Sequence, residues 1–90
     1  MPPYPTLVFS EVFLRSLILE RFSRSELDQL FKALRLLDEN ERHPSLRLHQ
    51  LKGDLAGIWS ASASSSLRIT FQRLDDRRKL LVAASRHYGD

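Results

Sequence analysis

The spacing of apolar residues changes once along this chain, and that change decides what it can fold into. Between Phe13 and Leu37 apolar residues recur at steps of three and four, whereas from Trp59 onward they recur at every second position. Residues three and four apart share one face of a helix, and alternate residues share one face of a strand. The first half therefore predicts two amphipathic helices and the second half a set of strands. Ser10 is placed to cap the first helix, whose stripe is Phe13, Leu14, Leu17, Ile18 and Phe22. Ser23 and Glu26 have the spacing of a capping box, in which hydroxyl and carboxylate each satisfy a free amide of the first turn. Leu27, Leu30, Phe31, Leu34 and Leu37 continue this second helix. It should stop near Asn40, because Pro44 disfavours helical geometry at His43.

The strands follow from the same logic. Leu7-Val8-Phe9, behind prolines at positions 2, 3 and 5, predicts a short strand ahead of the helices. Trp59, Ala61 and Ala63 alternate with Ser60, Ser62 and Ser64, and Leu67, Ile69 and Phe71 alternate with Arg68, Thr70 and Gln72. Leu80, Val82 and Ala84 then lead into Arg86. Turns are expected at 64–66 and 75–78, which makes these three strands an antiparallel meander. The expected fold class is α+β. An N-terminal strand and a two-helix hairpin pack on one face of a small, mainly antiparallel sheet that ends in the meander. The polar alternates, Arg68 among them, fall on the other face. No repeat or boundary divides the chain, so one domain over residues 1–90 is expected.

Composition narrows the chemistry. The chain has no cysteine, which removes disulfides and thiolate metal sites and suits a reducing cytoplasm. No apolar run is long enough to span a bilayer, and the N-terminus lacks the basic start and apolar core of a signal peptide. A net charge of +3 is compatible with nucleic acid or an acidic protein partner. Asp54, Asp75 and Asp76 show no metal-ligand spacing. Asp75-Asp76-Arg77-Arg78 reads as a charged hairpin turn, and no glycine loop for phosphate is present. Three histidines, at 43, 49 and 87, have side chains suited to proton transfer near neutrality. Arg68 sits mid-strand opposite the apolar row, where it is either a phosphate ligand on an open face or a solvated strand residue. His49 is equally readable as an ordinary loop residue, and Lys52 on sequence alone reads better as an ordinary surface lysine. Trp59 reads as a sheet-packing residue, and His43 has no assigned role.

The segment His49-Gln50-Leu51-Lys52-Gly53, the strand Leu67-Arg68-Ile69-Thr70-Phe71 and the terminal Ser85-Arg86-His87 together resemble the RelE/ParE superfamily of small toxins from bacterial toxin–antitoxin pairs. The resemblance is nearest to the YafQ and HigB-like branch and runs roughly from Leu7 to His87. It implies the same α+β fold and an mRNA endoribonuclease that acts in the ribosome without metal or cofactor. It also implies a cytoplasmic location, an acidic antitoxin as partner, a monomeric free toxin and a hetero-oligomeric complex with the antitoxin. By resemblance His49, Arg68 and His87 are catalytic, with His87 as general acid, and Lys52, Arg86 and Tyr88 contact RNA. The family's closing aromatic lies several residues beyond the histidine, and Tyr88 is the candidate in its place. The same fold also hosts ParE-like toxins that bind DNA gyrase, and a degenerate member kept for antitoxin binding is a third alternative.

Overall fold

Two serines start the two helices. In the structure, a computed structural model that describes residues 4–86, α1 spans Glu11–Leu19 and α2 spans Arg24–Glu39. The Ser10 side chain accepts the Phe13 N–H at 2.9 Å and donates to the Leu81 carbonyl at 2.6 Å, so the cap also fixes α1 to the sheet. Ser23 and Glu26 form the full capping box, and the C-cap of α2 is Asn40, four residues short of Pro44.

Five strands form one sheet: β1 Leu7–Phe9, β2 His49–Gln50, β3 Ile58–Ser62, β4 Leu67–Arg73 and β5 Lys79–Arg86, in the order β1-β5-β4-β3-β2. β1 runs parallel to β5, with Leu7 opposite Lys79 and Phe9 opposite Leu81. The other pairings are antiparallel, and β3-β4-β5 is the expected meander. Both helices cover one side. Phe13 of α1 and Leu30, Leu34 and Leu37 of α2 bury themselves with Ile69, Phe71 and Leu81 of the sheet.

Several local features differ from the expectation. α1 has only nine residues, and Leu14 and Ile18 of its expected stripe are exposed, as are Val12 and Leu19. Phe22 lies beyond the helix end, yet it is buried, because Arg21 adopts a left-handed backbone (φ 51°) that turns the chain back toward the core. Phe31 of α2 is also exposed. In β5 the ladder slips: Thr70 pairs with Ala83 and Phe71 with Leu81, which leaves Val82 as the extra residue of a bulge. The bulge reverses the alternation on its N-terminal side, so Lys79 and Leu81 point into the core where Leu80 and Val82 were expected. The two-residue strand β2 and the 3-10 turns Pro44–Leu46 and Gly53–Leu55 had no periodicity to announce them.

Lys79 is 2% exposed and is made tolerable by its partners. Its ammonium donates to the Arg77 carbonyl at 3.1 Å and ion-pairs with Glu41 at 3.2 Å. Arg73 pairs with the same Glu41 and lies 4.5 Å over the Trp59 ring. Trp59 in turn stacks on Phe71. The three charges fix the end of α2 to β4 and β5. The paired cations hold the Glu41 carboxyl below its usual range, Arg73 more than Lys79.

Candidate nucleic-acid interface

The helices cover only one side of the sheet, so the other side must be read residue by residue. Alternation and register define its rows. His49 of β2 lies opposite Ser60 of β3, which lies opposite Thr70 of β4, which lies opposite Ala83 of β5. One row along, Ser62, Arg68 and Ser85 stand side by side. His49 and Arg68 therefore project from the same face. Two strand spacings, about 10 Å, separate the row positions of His49 and Thr70.

The partners of His49 set its chemistry. Its Nδ1 lies 2.9 Å from the Arg47 carbonyl oxygen. A carbonyl can only accept, so Nδ1 carries the proton and the neutral ring presents the lone pair of Nε2. The ring is exposed on the edge strand, and Nε2 is the nitrogen that can take a proton from a substrate. His43 is wired the opposite way. Its Nδ1 accepts the Ser45 N–H at 3.2 Å, which places the neutral ring's proton on Nε2.

Arg68 is half-buried, and its Nε is buried without a hydrogen-bond partner. Among the described residues its guanidinium makes no ion pair, whereas Arg73, Arg78 and Arg86 each have one. A buried donor left unsatisfied costs about 1–3 kcal/mol. An orphaned guanidinium beside Thr70, Ser62 and Ser85 is a site where an anion would satisfy what the fold does not. Lys52 is exposed on the loop that follows β2, with no side-chain hydrogen bond at the 3-10 turn it precedes.

Arg86 is placed differently from what the resemblance implied. It lies in the row of Leu67, on the helix-covered side. Its Nε and Nη2 donate to the two Glu26 carboxylate oxygens at 3.0 and 2.9 Å, and Nη1 donates to the Glu20 carbonyl at 2.9 Å. It also covers the Phe22 ring at 4.9 Å. The physical reason is parity: Arg86 shares a row with buried Ala84, whereas Ser85 shares the face of Arg68. It ties the α1–α2 turn to β5, and its guanidinium holds the Glu26 carboxyl below its usual range. His87 and Tyr88 lie outside the described residues. Among the described residues no group of three or more His, Asp or Glu could hold a metal ion, and no helix is long and apolar enough to cross a membrane.

Two helices on one face of a five-stranded mixed sheet is the fold of the small RelE-like toxins. The solved structures that share it include YafQ of Escherichia coli strain BL21(DE3), with a TM-score of 0.73, 16% identity, and coverage of 89% of this chain and 90% of that one. A YoeB/ParE toxin from Agrobacterium tumefaciens matches with a TM-score of 0.70 and 19% identity over 92% of this chain and 99% of that one. YafQ in the E. coli DinJ–YafQ toxin–antitoxin complex matches with a TM-score of 0.71 and 17% identity over 90% of each chain. No protein-family model matches the sequence, and no curated protein does.

Proposed function

We propose that this chain, as a single domain over residues 1–90, is the toxin of a toxin–antitoxin pair and a metal-independent endoribonuclease that cuts mRNA on the ribosome. One observation carries the nuclease reading: a histidine with a free Nε2 and an arginine without a partner among the described residues project from the same face of the sheet, the one the helices leave uncovered. Cutting RNA through its own 2′-hydroxyl requires a base for the 2′ proton, an acid for the leaving 5′ oxygen and a cation for the phosphate charge. In this reading His49 Nε2 takes the proton, Arg68 grips the phosphate, Lys52 adds positive charge at the loop, and His87 returns a proton to the leaving oxygen. Tyr88 would contact the target base. Neutralisation by an acidic antitoxin is supported by fold relatives solved with antitoxins: YafQ with DinJ, and YoeB with YefM of Staphylococcus aureus. The exposed apolar residues Val12, Leu14, Ile18 and Leu19 on α1 offer such a partner a surface. A monomeric free toxin in the cytoplasm, assembling with its antitoxin into a hetero-oligomer, completes the proposal.

The test is expression of the chain alone in bacteria, followed by analysis of the cut message. Growth should stop, and fragments should carry a 2′,3′-cyclic phosphate and a 5′-hydroxyl whether or not EDTA is present. Fragments with a 5′-phosphate, or loss of cutting on chelation, would sink the mechanism. A second reading, a gyrase-binding or degenerate toxin, draws on the position of Arg86: one cation that the resemblance placed at the site is engaged on the far side. Growth arrest with intact message and inhibited gyrase would favour that reading.

A further inference from the structure

A second basic concavity lies on the other side of the β2 edge, between the end of α2 and the edge of the sheet. Glu41, Arg42, His43, Arg47, Trp59 and Arg73 line it. We propose that this pocket binds a phosphate of single-stranded RNA, flanking the nucleotide held on the open face. The proposal rests on the nuclease reading and says where the rest of the substrate strand runs.

Three arginines face one carboxylate, and that carboxylate is already engaged by Arg73 and Lys79. Arg42 and Arg47 are exposed and make no side-chain hydrogen bond or ion pair among the described residues. Both line the pocket, and a planar guanidinium fork suits a phosphate. His43 adds to it: with Nδ1 occupied by the Ser45 N–H, its remaining ring N–H donates from Nε2. Half-buried Trp59, held under the Arg73 guanidinium, supplies an apolar wall.

Arg47 has φ 45° and ψ 45°, the left-handed conformation of a cap that ends the 3-10 turn Pro44–Leu46. Here it turns Arg47 out of the alternation that governs His49 two residues later. The Arg47 carbonyl meanwhile fixes the His49 ring. One short segment thus presents a base to the open face and a guanidinium to the pocket behind it. β2 is the edge of the sheet and has only two residues, so an RNA strand can pass round it from one site to the other.

The experiment uses the full chain and fluorescent oligouridylates with 2′-O-methyl groups, which cannot be cleaved. A trimer reports the open face, and a nonamer reaches round the edge. The parent should bind the nonamer more tightly than the trimer. The variant Arg42→Ala should lose that gain, about tenfold, with trimer affinity unchanged. Its salt dependence for the nonamer should fall by about 0.7 in logarithmic slope, the value for one phosphate of a single strand. Its thermal midpoint should stay level, since Arg42 is exposed. Equal nonamer binding by parent and variant overturns the pocket alone. Trimer binding that ignores Arg68→Ala counts against the nuclease site alone. A glutamate peptide that displaces the nonamer as well as RNA does, with no gain from RNA length, would assign the pocket to a protein partner and overturn the proposal.

Discussion

Arg68 and Arg86 have the same side chain and opposite fates, and the difference lies in which row of the sheet each occupies. Arg86 has a carboxylate, a backbone carbonyl and an aromatic ring to hold it, whereas Arg68 has an orphaned Nε. Replacing Arg68 with Ala should therefore lower mRNA cleavage by about two orders of magnitude, the range of a lost charge-stabilising donor. Thermal stability should stay level or rise slightly, since an unsatisfied donor is removed. Cleavage assays and a melting curve on one preparation check this, and a melting loss as large as that of a core truncation would show Arg68 to be structural. The parity of Arg68 was legible because alternation in β4 is unbroken. The burial of Lys79 was not, since its partner Glu41 is distant in sequence and the bulge between Leu81 and Ala83 reverses the row. Nor did sequence reveal which nitrogen of His49 is free, because the Arg47 carbonyl that decides it is a backbone group.

At the scale of elements, local signals proved the most readable. The capping box of α2 is a property of four consecutive residues, and it formed as its spacing implied. Ser23→Ala should cost about 1 kcal/mol, the usual effect of removing an N-cap hydroxyl. Because Glu26 also holds Arg86, Glu26→Ala should destabilise more than Ser23→Ala. Urea titrations of both variants check the order, and the reverse order would show that the link between α2 and β5 carries little stability. α1 was less legible than α2. Its apolar residues are nearly continuous, so periodicity did not separate Phe13, which is buried, from Ile18, which is 75% exposed. The strand β2 was unreadable for another reason: two residues hold no period, and only pairing with Ser60 and Trp59 defines them.

At the scale of the whole molecule, three carboxylates held by cations or amides contribute to the response to acid. The Arg73 and Lys79 cations depress Glu41, and the Arg86 guanidinium depresses Glu26. The Arg77 and Arg78 amides and the Arg78 guanidinium hold Asp75 well below its usual range. A carboxyl whose pKa is lowered by folding adds stability that is complete above its unfolded value and is lost as pH falls through the folded value. The chain should therefore keep its stability down to about pH 4.5 and lose it progressively below. Glu41→Gln should make that acid limb shallower and lower stability at neutral pH, because Lys79 would remain buried with a weaker partner. Denaturation midpoints across the acid range measure both effects, and an unchanged limb in Glu41→Gln would remove Glu41 from the account.

The parallel pairing of β1 with β5 has a mechanical consequence. Leu7, Val8 and Phe9 lie beside Lys79, Leu80 and Leu81 in the same direction, so β1 is entered at one end of the pair and β5 is left at the other. Tension between the segments before β1 and after β5 loads these rungs together in shear. At the opposite edge β2 and β3 are antiparallel, and a pull there would open the rungs one after another like a zip. In a single-molecule stretching experiment the shear geometry should rupture at a clearly higher force than a pull applied across β2 and β3, and equal forces would refute it. An unfolding machine that drags this chain from either end would thus meet its strongest resistance at three rungs of β-sheet.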